Sequence, residues 1–100
     1  MRADRARKLL EAYDLTPFQK EVLVATASIP KGETRTYKQI AAAAHRPNAY
    51  RAVGSVMRIN PLAPIIPCHR VVKSDGSLGN YSAKGGTNKK ERLLRSEGAL

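Results

Sequence analysis

The stretch that decides the fold runs from Thr36 to Ile59 and reads TYKQIAAAAHRPNAYRAVGSVMRI. Thr36 and Gln39 have the spacing of a capping box, which predicts that a short helix begins here. The sequence His-Arg-Pro-Asn at residues 45–48 predicts a turn, and Asn48 is the predicted N-cap of a second helix that ends near Ile59. Two short helices joined by a tight turn form a helix-turn-helix pattern, although most helical hairpins do not contact DNA.

The two predicted helices have different residue types on their inner and outer sides. The inner side of the first is predicted to consist of Ile40, Ala41 and Ala44, and that of the second of Ala52, Val53, Val56 and Met57. Tyr50, Gly54 and Arg58 align on the outer side of the second helix, with Arg51 and Ser55 beside them. A basic outer stripe on the second helix is the pattern of a recognition helix.

Upstream of this unit the sequence predicts two further helices. The first is short, with Ala3, Ala6, Leu9, Leu10 and Tyr13 on one face. The second begins at a capping box formed by Thr16 and Gln19, with Pro17 at its first position. Its predicted buried stripe is Phe18, Val22, Ala25 and Ile29, and Pro30 and Gly32 are predicted to end it.

Downstream, the prolines from Pro61 to Pro67 exclude a helix. The sequence predicts short extended pieces, Ile65-Ile66 and Val71-Val72, on the two sides of Cys68. A turn is predicted from Ser74 to Gly79, and Thr87 is the predicted cap of a last helix, which directs Leu93 and Leu94 inward and ends at Gly98. The chain is therefore predicted to be one mainly α-helical domain with short strands.

The charge balance indicates the kind of partner. Lys and Arg number 18 against 8 Asp and Glu, which gives a formal net charge of +10. This excess favours nucleic acid, because neutralising each phosphate releases counterions, and an anionic membrane is the weaker alternative. No segment has the length and apolarity of a membrane span or the layout of a signal peptide. We therefore expect a monomer in the cytoplasm, or in the nucleus of a eukaryote.

The single cysteine stands in the segment Pro67-Cys68-His69-Arg70-Val71-Val72. A lone cysteine excludes an intrachain disulfide, and the distance in sequence between His45 and His69 argues against a zinc cluster, so we expect neither metal nor cofactor. An imidazole and a positive charge near a thiol favour the reactive thiolate. Successive side chains of an extended segment point to opposite sides, so a direct hydrogen bond between Cys68 and His69 is not assured, and a bridging water is the alternative. The alternative is a buried structural cysteine.

The combination of these motifs resembles the active-site domain of the O6-alkylguanine-DNA alkyltransferases, a winged helix-turn-helix-like fold. The matching residues are Arg51-Ala-Val-Gly-Ser-Val-Met-Arg-Ile-Asn60-Pro61, Ile66-Pro-Cys68-His-Arg-Val-Val, Gly79-Asn80-Tyr81-Ser82 and Leu93-Leu94-Arg-Ser-Glu97-Gly98. The resemblance extends over about residues 16–98.

The resemblance implies a catalytic site of Cys68, His69, Glu97, Asn60 and Tyr37. Cys68 would be the nucleophile and the permanent alkyl acceptor, and His69 would act through a water as its base. Glu97 would orient His69, and Asn60 would brace the helix-turn-helix against the Cys68 segment. Tyr37 would donate a hydrogen bond to N3 of a guanine flipped out of the duplex.

The resemblance also implies how double-stranded DNA containing O6-alkylguanine would be held. Besides Tyr37, the substrate-binding residues would be Met57 and Tyr81 as walls of the base pocket, with Ser82 and Lys90 at the departing O6. The second helix would enter the minor groove with Arg51 inserted into the base stack, and the other residues at this surface would be Ala49, Tyr50, Ala52, Gly54, Ser55 and Arg58. Small residues on this helix fit a close approach to the groove, and chemistry at O6 requires a base outside the stack.

Other interpretations of these residues and of the chain stay open. Met57 fits a core position, and Glu97 and Lys90 fit solvated surface charges. Tyr50 stands where the family favours a small residue. Fifteen residues precede Thr16, so residues 1–100 are expected to form one domain, without the additional N-terminal domain common in the family.

Two other functions also remain as alternatives. Alkyltransferase-like proteins bind lesions without repairing them and carry Trp at the acceptor position, which Cys68 occupies here. A helix-turn-helix regulator with a structural or redox-sensing cysteine is the third hypothesis.

Overall fold

The computed structural model describes residues 1–63, 65–75, 77–78 and 86–100, and for residues 86 and 87 only the backbone. Within these ranges the chain forms five α-helices, two short strands and one 3-10 turn. They are α1 (Ala3–Leu10), α2 (Pro17–Ala27), β1 (Arg35–Thr36), α3 (Tyr37–Ala43), α4 (Tyr50–Ile59), the 3-10 turn Cys68–Arg70, β2 (Val71–Val72) and α5 (Gly86–Ser96). The predicted mainly helical fold with short strands is confirmed.

Both predicted capping boxes are present. In each, the threonine side chain accepts a hydrogen bond from the backbone N–H of the glutamine at 3.1 Å. The glutamine side chain in turn accepts one from the threonine N–H at 2.8 Å, at Thr16–Gln19 and at Thr36–Gln39 alike. These bonds satisfy backbone donors that the first turn of a helix leaves without partners, and they set where α2 and α3 begin.

Helix α2 is the centre of the fold and packs against α1, α3 and α4. The buried surface of α2 is wider than the predicted stripe, because α2 has neighbours on several sides. Besides Val22, the helix buries Leu23, Val24, Thr26 and Ala27. Phe18 and Ala25 are only half-buried, and Ile29 is buried beyond the helix end. The helix ends at Ala27, before Pro30, and the N–H of its C-cap Ser28 bonds to the carbonyls of Val24 and Ala25.

Helix α1 lies against α2 and buries a narrow stripe formed by Ala6 and Leu10. Of the five residues predicted to share one face, Ala3, Leu9 and Tyr13 are exposed, because α2 covers α1 from one side. The Arg7 guanidinium joins the two helices by donating to both carboxylate oxygens of Glu21, at 2.5 and 3.1 Å.

The helix-turn-helix consists of α3, a turn at His45, whose φ is +64°, and α4. The predicted inner face of α3 is confirmed, since Ile40, Ala41 and Ala44 are all buried. Two predictions for α4 are wrong. Its N-cap is Ala49 rather than Asn48, and no side-chain bond caps it. Ala52 is exposed because the buried arc of α4 is centred on Val53, Val56 and Met57.

The two strands pair in parallel, with Arg35 opposite Val71 and Thr36 opposite Val72. The extended piece at Val71–Val72 is therefore confirmed, whereas the one before Cys68 is wrong. Ile65 lies in an exposed turn, and Cys68 itself begins the 3-10 turn. Hydrogen bonds from Cys68 N to Ile66 O (2.8 Å) and from Arg70 N to Pro67 O (2.9 Å) wind this segment more tightly than a strand.

After β2 the chain turns at Ser74 and Asp75, as predicted, and the Asp75 carboxylate accepts two hydrogen bonds from Ser77. Helix α5 begins at Gly86, so Thr87 lies inside the helix and is not its cap. Leu94 is buried and Leu93 packs against the core. The helix ends at Ser96, and Gly98 follows with φ +79°, a conformation that glycine adopts readily.

Among the described residues, no helix combines the length and apolarity needed to cross a membrane. The same residues bring no three His, Cys, Asp or Glu side chains together in a way that could hold a metal ion.

Candidate functional site

Cys68 is 1% exposed and belongs to the hydrophobic core. It is the first residue of the 3-10 turn, directly before β2. Because β2 pairs with β1, and β1 leads into α3 without a break, this pairing brings the Cys68 turn close to the start of α3. The strand pair thereby connects the single thiol of the chain to the helix-turn-helix.

His69 and Glu97 lie close together although 28 residues separate them. His69 Nε2 is 3.0 Å from Glu97 Oε1, the histidine is 2% exposed and the glutamate side chain 10%. The interpretation of Glu97 as a solvated surface charge is therefore wrong. Arg70 donates from Nε to Glu97 Oε1 at 2.9 Å and from Nη2 to Oε2 at 2.6 Å. A third donor, Arg70 Nη1, binds the carbonyl of Ile29 at 2.8 Å.

The protonation states in this cluster follow from its contacts. The hydrogen bond from Arg70 lowers the pKa of Glu97, and the bond with His69 adds to this effect against the opposing effect of burial. Burial lowers the pKa of His69, although Glu97 opposes the change. An ionised carboxylate only accepts hydrogen bonds, so His69 Nε2 carries the proton and Nδ1 is the basic nitrogen. The arrangement suits a neutral imidazole that takes up a proton.

Lys90 is fully buried on α5, so the interpretation as plain surface is wrong. Its ammonium donates to the carbonyl of Val71 in β2 at 2.5 Å and lies 5.8 Å from the centre of the Tyr37 ring. Burial lowers the pKa of Lys90 to about 8, and the nearby Cys68 works against this lowering. A buried positive charge therefore interacts with the thiol, β2 and α3 at once.

Asn60 connects the end of α4 to the segment that leads into Cys68. Its side-chain amide donates to Ile66 O at 2.9 Å, and its side-chain oxygen accepts from Leu62 N at 3.0 Å. Asn60 is 8% exposed and also forms the C-cap of α4. The bracing role that the resemblance implies for Asn60 is compatible with these bonds.

The outer side of α4 borders a cavity of about 460 Å³. The lining residues come from α3, α4 and the segment after β2, and they are Tyr37, Lys38, Tyr50, Arg51, Gly54, Arg58, Lys73, Ser74 and Asp75. Four basic side chains face one carboxylate here, so the cavity has a net positive charge. The Lys38 ammonium lies 5.3 Å from the centre of the exposed Tyr50 ring. A Cβ at Gly54 would lie 4.0 Å from Tyr37 Cε1, so α4 passes close to this tyrosine.

The remaining predicted site residues divide into three groups. Ala52 and Ser55 are exposed on α4, and Ala49 is half-buried directly before it. Met57 is 2% exposed and belongs to the hydrophobic core. The predicted positions of Tyr81 and Ser82 lie outside the described residues.

Arg70 is a site residue that was not predicted from the sequence. Its position two residues after Cys68 was the available signal, but no local pattern pairs it with Glu97. A further cavity of about 600 Å³ lies between α1, α2 and α3, and none of the predicted site residues lines it.

Residues 17–99 match the protein family described as 6-O-methylguanine DNA methyltransferase, DNA binding domain. The chain belongs to this family. As a member of the methyltransferase family, it is similar to proteins named methylated-DNA–protein-cysteine methyltransferase. The one from Methanosarcina barkeri is 52% identical over 94 residues, which cover 88% of this chain and 58% of the relative. The one from Rattus norvegicus is 51% identical over 82 residues, which cover 81% of this chain and 39% of the relative.

Two solved structures of similar proteins contain DNA. Mycobacterium tuberculosis OGT in complex with DNA superimposes with a TM-score of 0.79 at 46% identity, covering 84% of this chain and 50% of that one. S. pombe Atl1 in complex with damaged DNA containing O6-carboxymethylguanine has a TM-score of 0.74 at 29% identity, covering 86% and 80%. This methyltransferase-family chain spans about half the length of the curated relatives it matches.

Proposed function

We propose that this chain repairs DNA by transferring the alkyl group from O6 of guanine to Cys68, once and irreversibly. The observation that carries the proposal is the buried cluster around the single thiol. Beside Cys68 lie the His69–Glu97 pair, with its carboxylate held by Arg70, and the buried ammonium of Lys90. Membership of the methyltransferase family and the names of the relatives support the same reaction.

In the proposed reaction the sulfur of Cys68 attacks the carbon attached to O6. The S–C bond forms as the C–O6 bond breaks, and the bonding electrons leave with the guanine. The thiol proton passes to Nδ1 of His69 through a water, and Glu97 stabilises the imidazolium that results. Tyr37 donates to N3 of the base, Ser82 and Lys90 donate to the departing O6, and the proton taken up by His69 is then returned through water to neutralise the guanine anion. The product is a stable thioether, so the protein acts once.

The proposed partner is duplex DNA, bound by a monomer through the outer side of α4. The basic residues around the cavity beside α4 attract phosphates, and the small residues Gly54 and Ser55 permit a close approach in the minor groove. The exposed Arg51 would enter the base stack and fill the space left by the flipped guanine. Tyr37 lines this cavity and lies close to Lys90, so a base that enters here would approach the Cys68 cluster.

A second candidate function is recognition of the lesion without transfer. The observation that favours it is the similarity in shape to Atl1, whose structure holds damaged DNA. The thiol of Cys68 favours transfer, because recognition alone does not require a nucleophile next to a histidine base.

The decisive experiment is intact mass spectrometry after the protein meets duplex DNA that carries one O6-methylguanine. Transfer predicts that the protein gains the mass of one methyl group, at Cys68, in proportion to the lesions supplied. Cys68→Ser should show no gain and should still bind the duplex, which separates the chemistry from the binding.

An identical duplex with unmodified guanine is the matched control for the substrate. Tight binding of the lesion duplex without any gain of mass, in a correctly folded wild-type sample, would exclude transfer and support recognition alone.

A further inference from the structure

We infer that Arg70 is a positioning residue that keeps His69 in its neutral, proton-accepting state by occupying both oxygens of Glu97. The inference rests on the proposed function, in which His69 is the base that takes the Cys68 proton. Arg70 itself has no part in the chemistry, so its influence on the reaction would come from holding the carboxylate and from its positive charge near His69.

Arg70 binds both oxygens of the Glu97 carboxylate. Arg70 Nε and Nη2 approach Oε1 and Oε2 at 2.9 and 2.6 Å, which is a bidentate arginine–carboxylate pair. Oε1 is shared, because His69 Nε2 lies 3.0 Å from it. The third donor of the guanidinium binds Ile29 O at 2.8 Å, so the segment that follows α2 holds Arg70 in place. Two donors of Arg70 thus hold the carboxylate when it receives the histidine N–H.

Charges of opposite sign surround His69. The charged or titratable groups near it are Glu97 and Lys90 from the α5 segment and Cys68 and Arg70 from its own turn. Helix α2 also packs against this turn and, among the described residues, adds no charged group to those that shift the pKa of His69. Glu97 raises the pKa of His69, whereas Arg70 and Lys90 lower it. Arg70 therefore offsets the carboxylate charge that would otherwise favour the imidazolium.

The consequence concerns the pH dependence of the reaction. Without the positive charge of Arg70, Glu97 would attract a proton to His69 more strongly, and His69 would be protonated at higher pH than in the wild type. An imidazolium cannot accept the thiol proton, so transfer would be slowed most at low pH and would recover as the pH rises. A purely structural defect would lower the rate by the same factor at every pH.

The test compares Arg70→Met and Arg70→Gln, which remove the charge, with Arg70→Lys, which keeps it. His69 is titrated by NMR in the whole chain without substrate, and the exposed His45 serves as internal reference. Transfer rates are then measured from pH 6 to 9 with free O6-benzylguanine, which needs no DNA binding. Arg95→Met is the matched control, because Arg95 pairs with Glu91 on the exposed side of α5.

We expect the neutral variants to be about tenfold slower than the wild type at pH 6 and within about threefold at pH 9, with a raised His69 midpoint. Arg70→Lys should keep the wild-type midpoint of the His69 titration. Combining Glu97→Gln with Arg70→Met in one chain removes the opposing negative charge as well, so it should cancel the rise in this midpoint. An unchanged midpoint in a folded neutral variant, or loss of folding in both neutral variants, would overturn the inference and assign Arg70 a structural role. Because the NMR titration needs no substrate, absence of transfer in the wild type would refute the proposed function separately.

Discussion

Replacing Lys90 by Met should keep or raise the free energy of unfolding at neutral pH. It should also slow the transfer reaction. Lys90 is fully buried, and its ammonium has been removed from water to donate to the Val71 carbonyl at 2.5 Å. Burying a charge is costly unless an opposite charge compensates it, and a carbonyl compensates only partly. Met has a similar length and carries no charge, so the substitution removes this cost while filling the same space.

The magnitude follows from the pKa of Lys90. Folding lowers this pKa from 10.5 to about 8. Each unit of pKa corresponds to about 1.4 kcal/mol, so the protonated side chain destabilises the fold by about 3 kcal/mol. Losing the bond to the Val71 carbonyl opposes the gain by about 1 to 3 kcal/mol. At pH 7 Lys90→Met should therefore lie between wild-type stability and about 2 kcal/mol above it.

The pH dependence gives the sharper test. Because the folded state binds the Lys90 proton more weakly than the unfolded state, the full penalty applies below pH 8. It shrinks as the pH rises from about 8 to the unfolded value of 10.5, and above that value it is gone. Wild-type stability should therefore rise relative to that of Lys90→Met across this window, by about 3 kcal/mol in total.

The assay is urea denaturation of both proteins at intervals from pH 7 to 11, because the difference between them cancels the titration of all other groups. Lys89→Met is the matched control, since the neighbouring Lys89 is not fully buried. If the unfolding free energies of the wild type and of Lys90→Met differ by a constant amount, within about 1 kcal/mol, from pH 7 to 11, Lys90 is not a buried, ionised lysine. With free O6-benzylguanine, Lys90→Met should react more slowly than the wild type, as expected of a donor to the departing O6.

Two further substitutions test the DNA surface and the brace next to Cys68. Arg51→Ala should slow transfer from an O6-methylguanine duplex by about tenfold or more and transfer from free O6-benzylguanine by less than about twofold, because only the duplex requires a flipped base. Equal losses on the two substrates, measured as rate constants, would remove Arg51 from base flipping. Asn60→Ala should lower the free energy of unfolding by about 2 to 4 kcal/mol, since Ile66 O and Leu62 N each lose a buried partner. A loss below about 1 kcal/mol in urea denaturation would show that the brace is unimportant for stability.

The features that could be predicted are those whose causes lie within a few residues. The capping boxes at Thr16 and Thr36 close over three residues, so their sequence spacing determines the start of α2 and α3. The buried face of α3 follows equally from its apolar spacing. Cys68 and His69 could be proposed as reactive residues because they are adjacent in sequence, which is also a local property.

Predictions failed where a neighbouring element decides the outcome. The number of buried positions on α1 and α2 depends on how many helices cover each of them, and no helical periodicity contains that information. The segment at Cys68 has residues that favour a strand, but the backbone bonds from Cys68 to Ile66 and from Arg70 to Pro67 wind it into a 3-10 turn. Local propensity is weaker than such tertiary constraints.

The sequence by itself determined the helix-turn-helix and singled out the thiol with its adjacent histidine, since both are local patterns. Only the tertiary structure decided which charges surround them. Glu97 reaches His69 and Arg70 across 28 and 27 residues, and Lys90 reaches Val71 across 19. A charged side chain is ordinarily solvated, but Lys90 is fully buried and the Glu97 side chain is only 10% exposed, because the α5 segment packs against the Cys68 turn, and this turn and β2 supply their hydrogen-bond partners. Contacts between segments so far apart form only when the whole chain folds.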